Sequence, residues 1–143
     1  MVRIEIKRLN DAYHMQATNE QGATLHMDAS PDMGGLNKGM RPMQIVLTAL
    51  GGCSVIDVIS ILKKQKQDLK DIQVTVTGER ENVAPSPYTE ANVHFRLYGI
   101  LDEEKVEKAI ALSVDKYCSV AETLRRAGAT ISWEVKVNGA IGN

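Results

Sequence analysis

Alternating apolar and polar residues open the chain. Over positions 2–9, apolar residues alternate with charged ones at the two-residue period of a half-buried strand. The same alternation returns over residues 13–18 and 24–28, and segments rich in Asn, Asp and Gly separate the three stretches. The pattern predicts an antiparallel meander of three strands, and the Gly- and Pro-containing residues 30–40 predict a loop after it.

A long apolar segment follows, from Arg41 to Lys66. Pro42 suits the first helical position, where its missing N–H has no partner to lose, and lysines gather at the far end, where a helix dipole is negative. The segment predicts one helix of about 25 residues. Its apolar residues lie on several faces, so we expect burial on most sides. One small sheet cannot cover such a helix, which predicts a homodimer with the long helices inside.

The second half of the chain continues with strand and helix patterns. The predicted elements are strands over 72–78 and 93–97, helices over 103–117 and from residue 119 to Gly128, and a strand over 130–137. Ser119 and Glu122 have the S-x-x-E spacing of a capping box, which marks the start of the last helix. Residues 138–143 are expected to form a frayed tail. The order βββ-α-ββ-αα-β predicts a single α+β domain over 1–143, with a largely antiparallel sheet wrapped around long central helices.

Composition narrows the function classes. The 17 basic and 18 acidic residues give a net charge of −1 and are scattered along the chain, so the clustered base of a nucleic-acid-binding surface is not expected. Polar residues interrupt the apolar run over 45–62, which is too short and too mixed for a membrane span, and the N-terminus is unlike a signal peptide. We therefore expect a soluble, cytoplasmic protein whose two cysteines are free thiols.

The two cysteines are the candidate catalytic residues. Cys53 follows Gly51 and Gly52, which weaken a helix by up to about 1 kcal/mol each and either kink it or allow a substrate or another backbone to approach. Cys118 directly precedes the predicted capping box, where helix N–H groups favour a thiolate. Two thiols at helix interruptions suggest redox chemistry. The alternative is that both are small buried hydrophobic residues.

Asp57 lies one helical turn after Cys53 on the same face. A carboxylate there opposes thiolate formation, so a reactive Cys53 requires a nearby Arg or Lys from another segment or from a partner chain. The alternative is an aspartate held by structural hydrogen bonds.

Metal and cofactor chemistry has little support in the sequence. His14, His26 and His94 each stand alone on strand patterns, and neither cysteine belongs to a C-x-x-C motif. The glycine-rich motifs of nucleotide-binding proteins and the G-x-S-x-G of serine hydrolases do not occur. We expect neither a metal nor a cofactor.

The segments RPMQIVLTALGGCSVIDVISILKK and KYCSVAETL resemble the OsmC/Ohr family of peroxide-reducing proteins, and most of all its YhfA-like branch. The resemblance covers nearly the whole chain. It implies an intertwined homodimer with two long central helices wrapped by sheet, and with two active sites at the subunit interface. It also implies that Cys53 attacks the hydroperoxide, that Cys118 resolves the sulfenic acid to a disulfide, and that a dithiol reductant restores both thiols.

The chain departs from the family pattern at the activating groups. Peroxidases of the family carry a glutamate shortly after the helix-starting proline and an arginine from the N-terminal sheet. Here Met43 and Gln44 follow Pro42, and residues 13–28 contain no arginine. The expected function is the reduction of organic hydroperoxides in oxidative-stress defence. The alternative is a non-catalytic dimeric domain that binds a small apolar ligand between its subunits.

Overall fold

The structure, a computed structural model, describes residues 1–139. The elements are β1 (Ile4–Arg8), β2 (Met15–Asn19), β3 (Thr24–Met27), a 3₁₀ turn (Pro31–Met33), α1 (Pro42–Lys64), β4 (Asp68–Arg80), β5 (Tyr88–Ile100), α2 (Glu103–Leu112), a π-helical turn (Ser113–Tyr117), α3 (Ser119–Arg126) and β6 (Thr130–Val137). The α+β prediction and the order of its elements are confirmed. The chain divides into two compact units, Met1–Val46 and Leu47–Asn143.

The first unit contains the predicted meander. β1, β2 and β3 pair in that order, both times antiparallel, and place Ile6, Ala17 and Leu25 side by side. The loop after β3 is built on buried Asp28, whose carboxylate accepts the N–H groups of Ala29, Leu36 and Lys38 at 2.8, 3.1 and 3.0 Å. Burial alone would raise the pKa of Asp28, but these three N–H groups outweigh it and hold the pKa below its usual value.

The second unit contains a sheet in the order β4-β5-β6. β4 and β5 are antiparallel strands of 13 residues each, longer than the predicted strands, and β6 runs parallel to β5. Among the described strands this is the one parallel pairing, and the sequence pattern did not predict it. It arises because two helices intervene between β5 and β6, which gives the chain room for a crossover.

The core of the second unit forms where α1 and α2 pack against the sheet. Leu50, Val58 and Leu62 recur along one face of α1 and are fully buried. They share the core with alternate residues of β5 and with the apolar face of α2, namely Val93, Phe95, Leu97, Val106, Ala109 and Ile110. Ile56 and Ile59, on the rest of α1, remain 67% and 41% exposed. One chain therefore does not provide the predicted burial of α1 on most sides.

The frayed tail predicted over residues 138–143 is wrong at its first residue. The Asn138 side chain accepts the N–H of Gly99 and donates to the carbonyl of Gly99, both at 2.9 Å, and the Asn138 backbone N–H donates to Leu97 at 2.8 Å. These bonds continue the β5–β6 pairing by one residue. Residues 140–143 lie outside the described part of the chain.

Candidate active site

Cys118 occupies the N-cap position of α3. Its extended backbone ends the π-helical turn, and its Sγ accepts the backbone N–H of Ala121 at 3.4 Å. The predicted capping box is therefore wrong by one residue: the cap is the thiol itself, and the Glu122 carboxylate instead pairs with Arg126 at 2.8 Å. The predicted helix over 103–117 is also shorter, because its α-helical part ends at Leu112.

The Cys118 thiol is 2% exposed, and burial is the largest influence on its pKa. Burial raises the pKa, the Ala121 N–H and the Ser54 hydroxyl lower it, and neighbouring Cys53 raises it again. The result is a pKa above the ordinary value of 9.0. The prediction that the helix start favours the Cys118 thiolate is therefore wrong, since one N–H does not offset the loss of water around the sulfur.

Cys53 lies in the middle of α1 and is half-buried. α1 runs unbroken through Gly51 and Gly52, so the predicted interruption at Cys53 is wrong. Gly51 instead permits close packing, because a Cβ there would lie 2.8 Å from Cγ2 of Val76 on β4. A Cβ on Gly52 would meet nothing within 4 Å, so open space adjoins the residue that precedes Cys53.

The fold brings the two thiols together. The hydroxyl of Ser54, the residue after Cys53, lies 3.6 Å from Cys118 Sγ, and Cys53 is near enough to raise the pKa of Cys118. One thiol comes from the middle of α1 and the other from the start of α3. Their catalytic roles remain a prediction, but their proximity meets the first requirement of a two-cysteine mechanism.

Ser54 links α1 to the second thiol and was missed by the sequence analysis. Its fully buried hydroxyl lies 2.8 Å from the carbonyl oxygen of Leu50 and 3.6 Å from Cys118 Sγ, and it can donate to either. A serine that follows a cysteine carries no signal in sequence, because only the packing of α3 on α1 determines which sulfur it meets.

Asp57 meets a hydroxyl rather than a cation. Ser113, at the start of the π-helical turn, has its Oγ 3.0 Å from the carbonyl oxygen of Ser54 and 3.3 Å from Oδ2 of Asp57, and its one hydroxyl proton can be donated to either. Among the ion pairs of residues 1–139, none within 4.0 Å involves Asp57. Within residues 1–139, therefore, no cation pairs with Asp57. Its contacts fit the alternative of an aspartate held by structural hydrogen bonds.

The side chain of Gln44 caps the start of α1. Its Oε1 accepts the backbone N–H of Arg41 at 2.9 Å, and the Arg41 guanidinium donates to the carbonyl of Gly39 at 3.0 Å and to the side chain of Asn37. The residue at the position where the resemblance implies an activating glutamate thus supports the helix start.

Metal ligands do not gather in the described residues. His14 and His26 are not isolated as predicted, since Nε2 of His14 and Nδ1 of His26 lie 2.8 Å apart across β2 and β3. No group of three or more His, Cys, Asp or Glu side chains over residues 1–139 could hold a metal ion.

Comparison with known proteins identifies the family. The profile of the family described as OsmC-like protein matches residues 35–134. Protein YhfA of Escherichia coli K12 is 48% identical over 101 residues, which cover 69% of this chain and 75% of YhfA. A crystal structure of a protein from Aquifex aeolicus VF5 is 31% identical, with a TM-score of 0.79, over 97% of this chain and 98% of that chain.

A more distant structure shares the fold. The organic hydroperoxide resistance protein OsmC of Legionella pneumophila is 15% identical, with a TM-score of 0.71, over 96% of this chain and 97% of that one. At this identity the likeness concerns the fold alone. The family profile covers both candidate thiols and most of the second unit, and YhfA is nearly half identical over most of the chain, so the chain belongs to the OsmC-like protein family.

Proposed function

We propose that the protein reduces organic hydroperoxides, with Cys53 as the peroxidatic and Cys118 as the resolving cysteine. The observation that carries the proposal is the proximity of the two thiols: Ser54, which follows half-buried Cys53 on α1, has its hydroxyl 3.6 Å from the sulfur of buried Cys118 at the start of α3. Membership of the OsmC-like family supports a role in peroxide defence. The fold is also that of proteins named for organic hydroperoxide resistance.

The proposed cycle has three balanced steps. The Cys53 thiolate attacks the outer oxygen of the hydroperoxide, the O–O bond breaks, and the products are Cys53 sulfenic acid and, after uptake of one proton, an alcohol. The Cys118 sulfur then attacks the Cys53 sulfur, and hydroxide leaves and takes the thiol proton to form water. A dithiol reductant opens the resulting disulfide by exchange and is itself oxidised to a disulfide.

The environments of the two thiols suit different roles. Cys53 is partly accessible and adjoins the open space at Gly52, so a small oxidant can reach it. Cys118 is enclosed, and its raised pKa keeps it protonated near neutral pH, so it does not compete with Cys53 for peroxide. The exposed Ile56 and Ile59 make this part of α1 apolar, which favours organic hydroperoxides over hydrogen peroxide.

A second copy of the chain would complete the site. Ile56 and Ile59 expose apolar surface on α1, and exposed apolar surface of this kind often marks an interaction site. We propose that the partner's α1 packs there in a homodimer. The cation that activates Cys53 would then come from the partner subunit or from another segment of the same chain.

The protein is soluble. By length and composition α1 could cross a bilayer, but the core helix of a soluble protein passes the same test. Here Leu50 and Leu62 of α1 are fully buried in the core of an OsmC-like fold. We propose that the protein works in the cytoplasm, where thiols stay reduced between turnovers.

Two observations favour the alternative, a dimeric domain that binds a small apolar ligand without catalysis. No carboxylate follows Pro42 in the first turn of α1, where Gln44 accepts the Arg41 N–H, and Asp57 bonds a hydroxyl. The deciding experiment treats the reduced protein with graded cumene hydroperoxide and maps its thiols. A Cys53–Cys118 disulfide at one equivalent supports the enzyme, whereas two free thiols at every dose would contradict the two-cysteine mechanism and favour the binding domain.

A further inference from the structure

The turn that delivers Cys118 to the site is a π-helical turn, a rare element that often accompanies functional sites. Its closing hydrogen bond runs from the Cys118 N–H to the Ser113 carbonyl, five residues back, at 2.7 Å. In an α-helical register the same N–H would bond to Val114 instead. That carbonyl is already occupied, because Nη2 of Arg125 on α3 donates to it at 2.8 Å.

Ser113 connects this turn to α1. Its carbonyl accepts the Cys118 N–H, while its side-chain hydroxyl can donate to α1 at either the Ser54 carbonyl or the Asp57 carboxylate. Ser113 is fully buried, so water does not compete for these bonds. One residue thus connects the backbone of Cys118 with the helix turn that follows Cys53.

We propose that Ser113 is a positioning residue for disulfide closure: it fixes the π-helical turn on α1, so that the Cys118 sulfur stays within reach of Cys53. Asp57 supports it by accepting from the Ser113 hydroxyl. The inference rests on the proposed function for its biological purpose. Its physical content, the rate at which Cys118 attacks an oxidised Cys53, can be measured without any peroxide.

Disulfide closure requires Cα atoms within roughly 7 Å and a defined approach of the sulfurs. Without the Ser113 hydroxyl, the turn loses its bond to α1 and can shift relative to Cys53, even while Arg125 keeps its bond to the Val114 carbonyl. A misplacement of about 1 Å slows an oriented reaction by up to about a hundredfold. We therefore expect closure, rather than the first attack on Cys53, to depend on Ser113.

The test uses dithionitrobenzoate, an aromatic disulfide whose released thiolate is yellow. The Cys53 thiolate attacks it, one aromatic thiolate leaves, and a mixed disulfide remains on Cys53. The Cys118 thiolate then attacks the Cys53 sulfur, expels the second aromatic thiolate and forms the Cys53–Cys118 disulfide. The second release is first order and independent of reagent concentration, so it reports closure directly.

Ser113→Ala should leave the first release unchanged and slow the second by about tenfold or more. Ser119→Ala is the matched control, since Ser119 is exposed and also adjoins Cys118; both releases should stay at wild-type rates. Asp57→Leu should slow the second release by about threefold, and Asp57→Asn, which keeps an acceptor oxygen, by less. Cys118→Ser should show the first release alone.

A second release in Ser113→Ala within twofold of wild type would overturn the proposal, as would a wild-type protein without a second phase. If Ser113→Ala does not fold, Asp57→Leu decides, because Asp57 is only half-buried and accepts from the Ser113 hydroxyl; an unchanged closure rate in that variant overturns the proposal. A wild-type protein that closes in this assay but consumes no hydroperoxide would instead remove the proposed function and leave the positioning role standing.

Discussion

The hydroxyl of Ser54 lies 3.6 Å from the sulfur of Cys118, so the residue directly after Cys53 contacts the second thiol. This relationship ties the middle of α1 to the first residue of α3. The same hydroxyl lies 2.8 Å from the Leu50 carbonyl oxygen one turn earlier in α1. Ser54 therefore joins the helix that carries Cys53 to the sulfur of Cys118.

Cys53→Ser should abolish the consumption of cumene hydroperoxide. A hydroxyl is a far weaker nucleophile than a thiolate near neutral pH, and the buried Cys118 cannot replace it because its raised pKa keeps it protonated. The measurement is peroxide loss in a dithiol-coupled assay. Turnover that persists in this variant would assign the first attack to another residue.

Cys118→Ser should consume about one equivalent of hydroperoxide and then stop, because Cys53 sulfenic acid has no thiol with which to condense. Trapping with a sulfenic-acid reagent and mass spectrometry would show Cys53 labelled, and excess peroxide should carry it on to the sulfinic acid. Continued turnover with the same dithiol would show that the reductant opens the sulfenic acid directly, without Cys118.

The sequence predicted the elements well and the site in part. Alternation and helical spacing located every strand and helix, since burial of one face imposes those periods. The same patterns do not encode strand direction, so the parallel pairing of β5 with β6 was missed. The sequence also does not distinguish a π-helical turn of five residues from an α-helix. The cap of the last helix was therefore predicted at Ser119, one residue after the actual cap at Cys118.

Within the site, the sequence pointed to the two thiols because cysteine has specific chemistry and the chain contains two cysteines. Ser54 and Ser113 were missed because a serine acquires a role only through what the fold places beside it. One signal in the sequence could have indicated Ser113. It is a small polar residue beside apolar Val114, at the end of α2, whose apolar face packs in the core. Asp57 was noticed, but its partner proved to be a hydroxyl.

Gly51→Ala should lower the free energy of unfolding by about 1–3 kcal/mol, the usual cost of overpacking. The new methyl group would lie 2.8 Å from Val76 Cγ2, so the Val76 side chain or the spacing between α1 and β4 must change. Gly52→Ala is the matched control: its methyl group meets nothing within 4 Å, and a helix interior gains up to about 1 kcal/mol from this exchange. Urea unfolding measures both. Equal effects would contradict the close approach of α1 to the sheet.

The wild-type protein should sediment as a dimer with twice the 15.7 kDa mass of one chain. Ile56→Glu should shift it toward monomer, because a charge would enter the apolar face of α1 that we expect the partner to cover. Glu103→Ala, on the polar side of α2, serves as the control and should leave the mass unchanged. A wild-type monomer at micromolar concentration would contradict the proposed assembly.

Because the pKa of Cys118 is raised in the folded protein, the free energy of unfolding should fall at alkaline pH. A thiol whose pKa is higher in the folded than in the unfolded state keeps its proton longer when folded, so its contribution is complete below the unfolded pKa. That contribution is lost as pH rises from the ordinary value of 9.0 through the higher folded value. In reduced protein, the free energy of unfolding should therefore fall more steeply above this pH in wild type than in Cys118→Ser. Urea unfolding from pH 8 to about 10.5 measures this difference. Parallel curves of unfolding free energy against pH for the two proteins would show that burial does not hold the Cys118 thiol protonated.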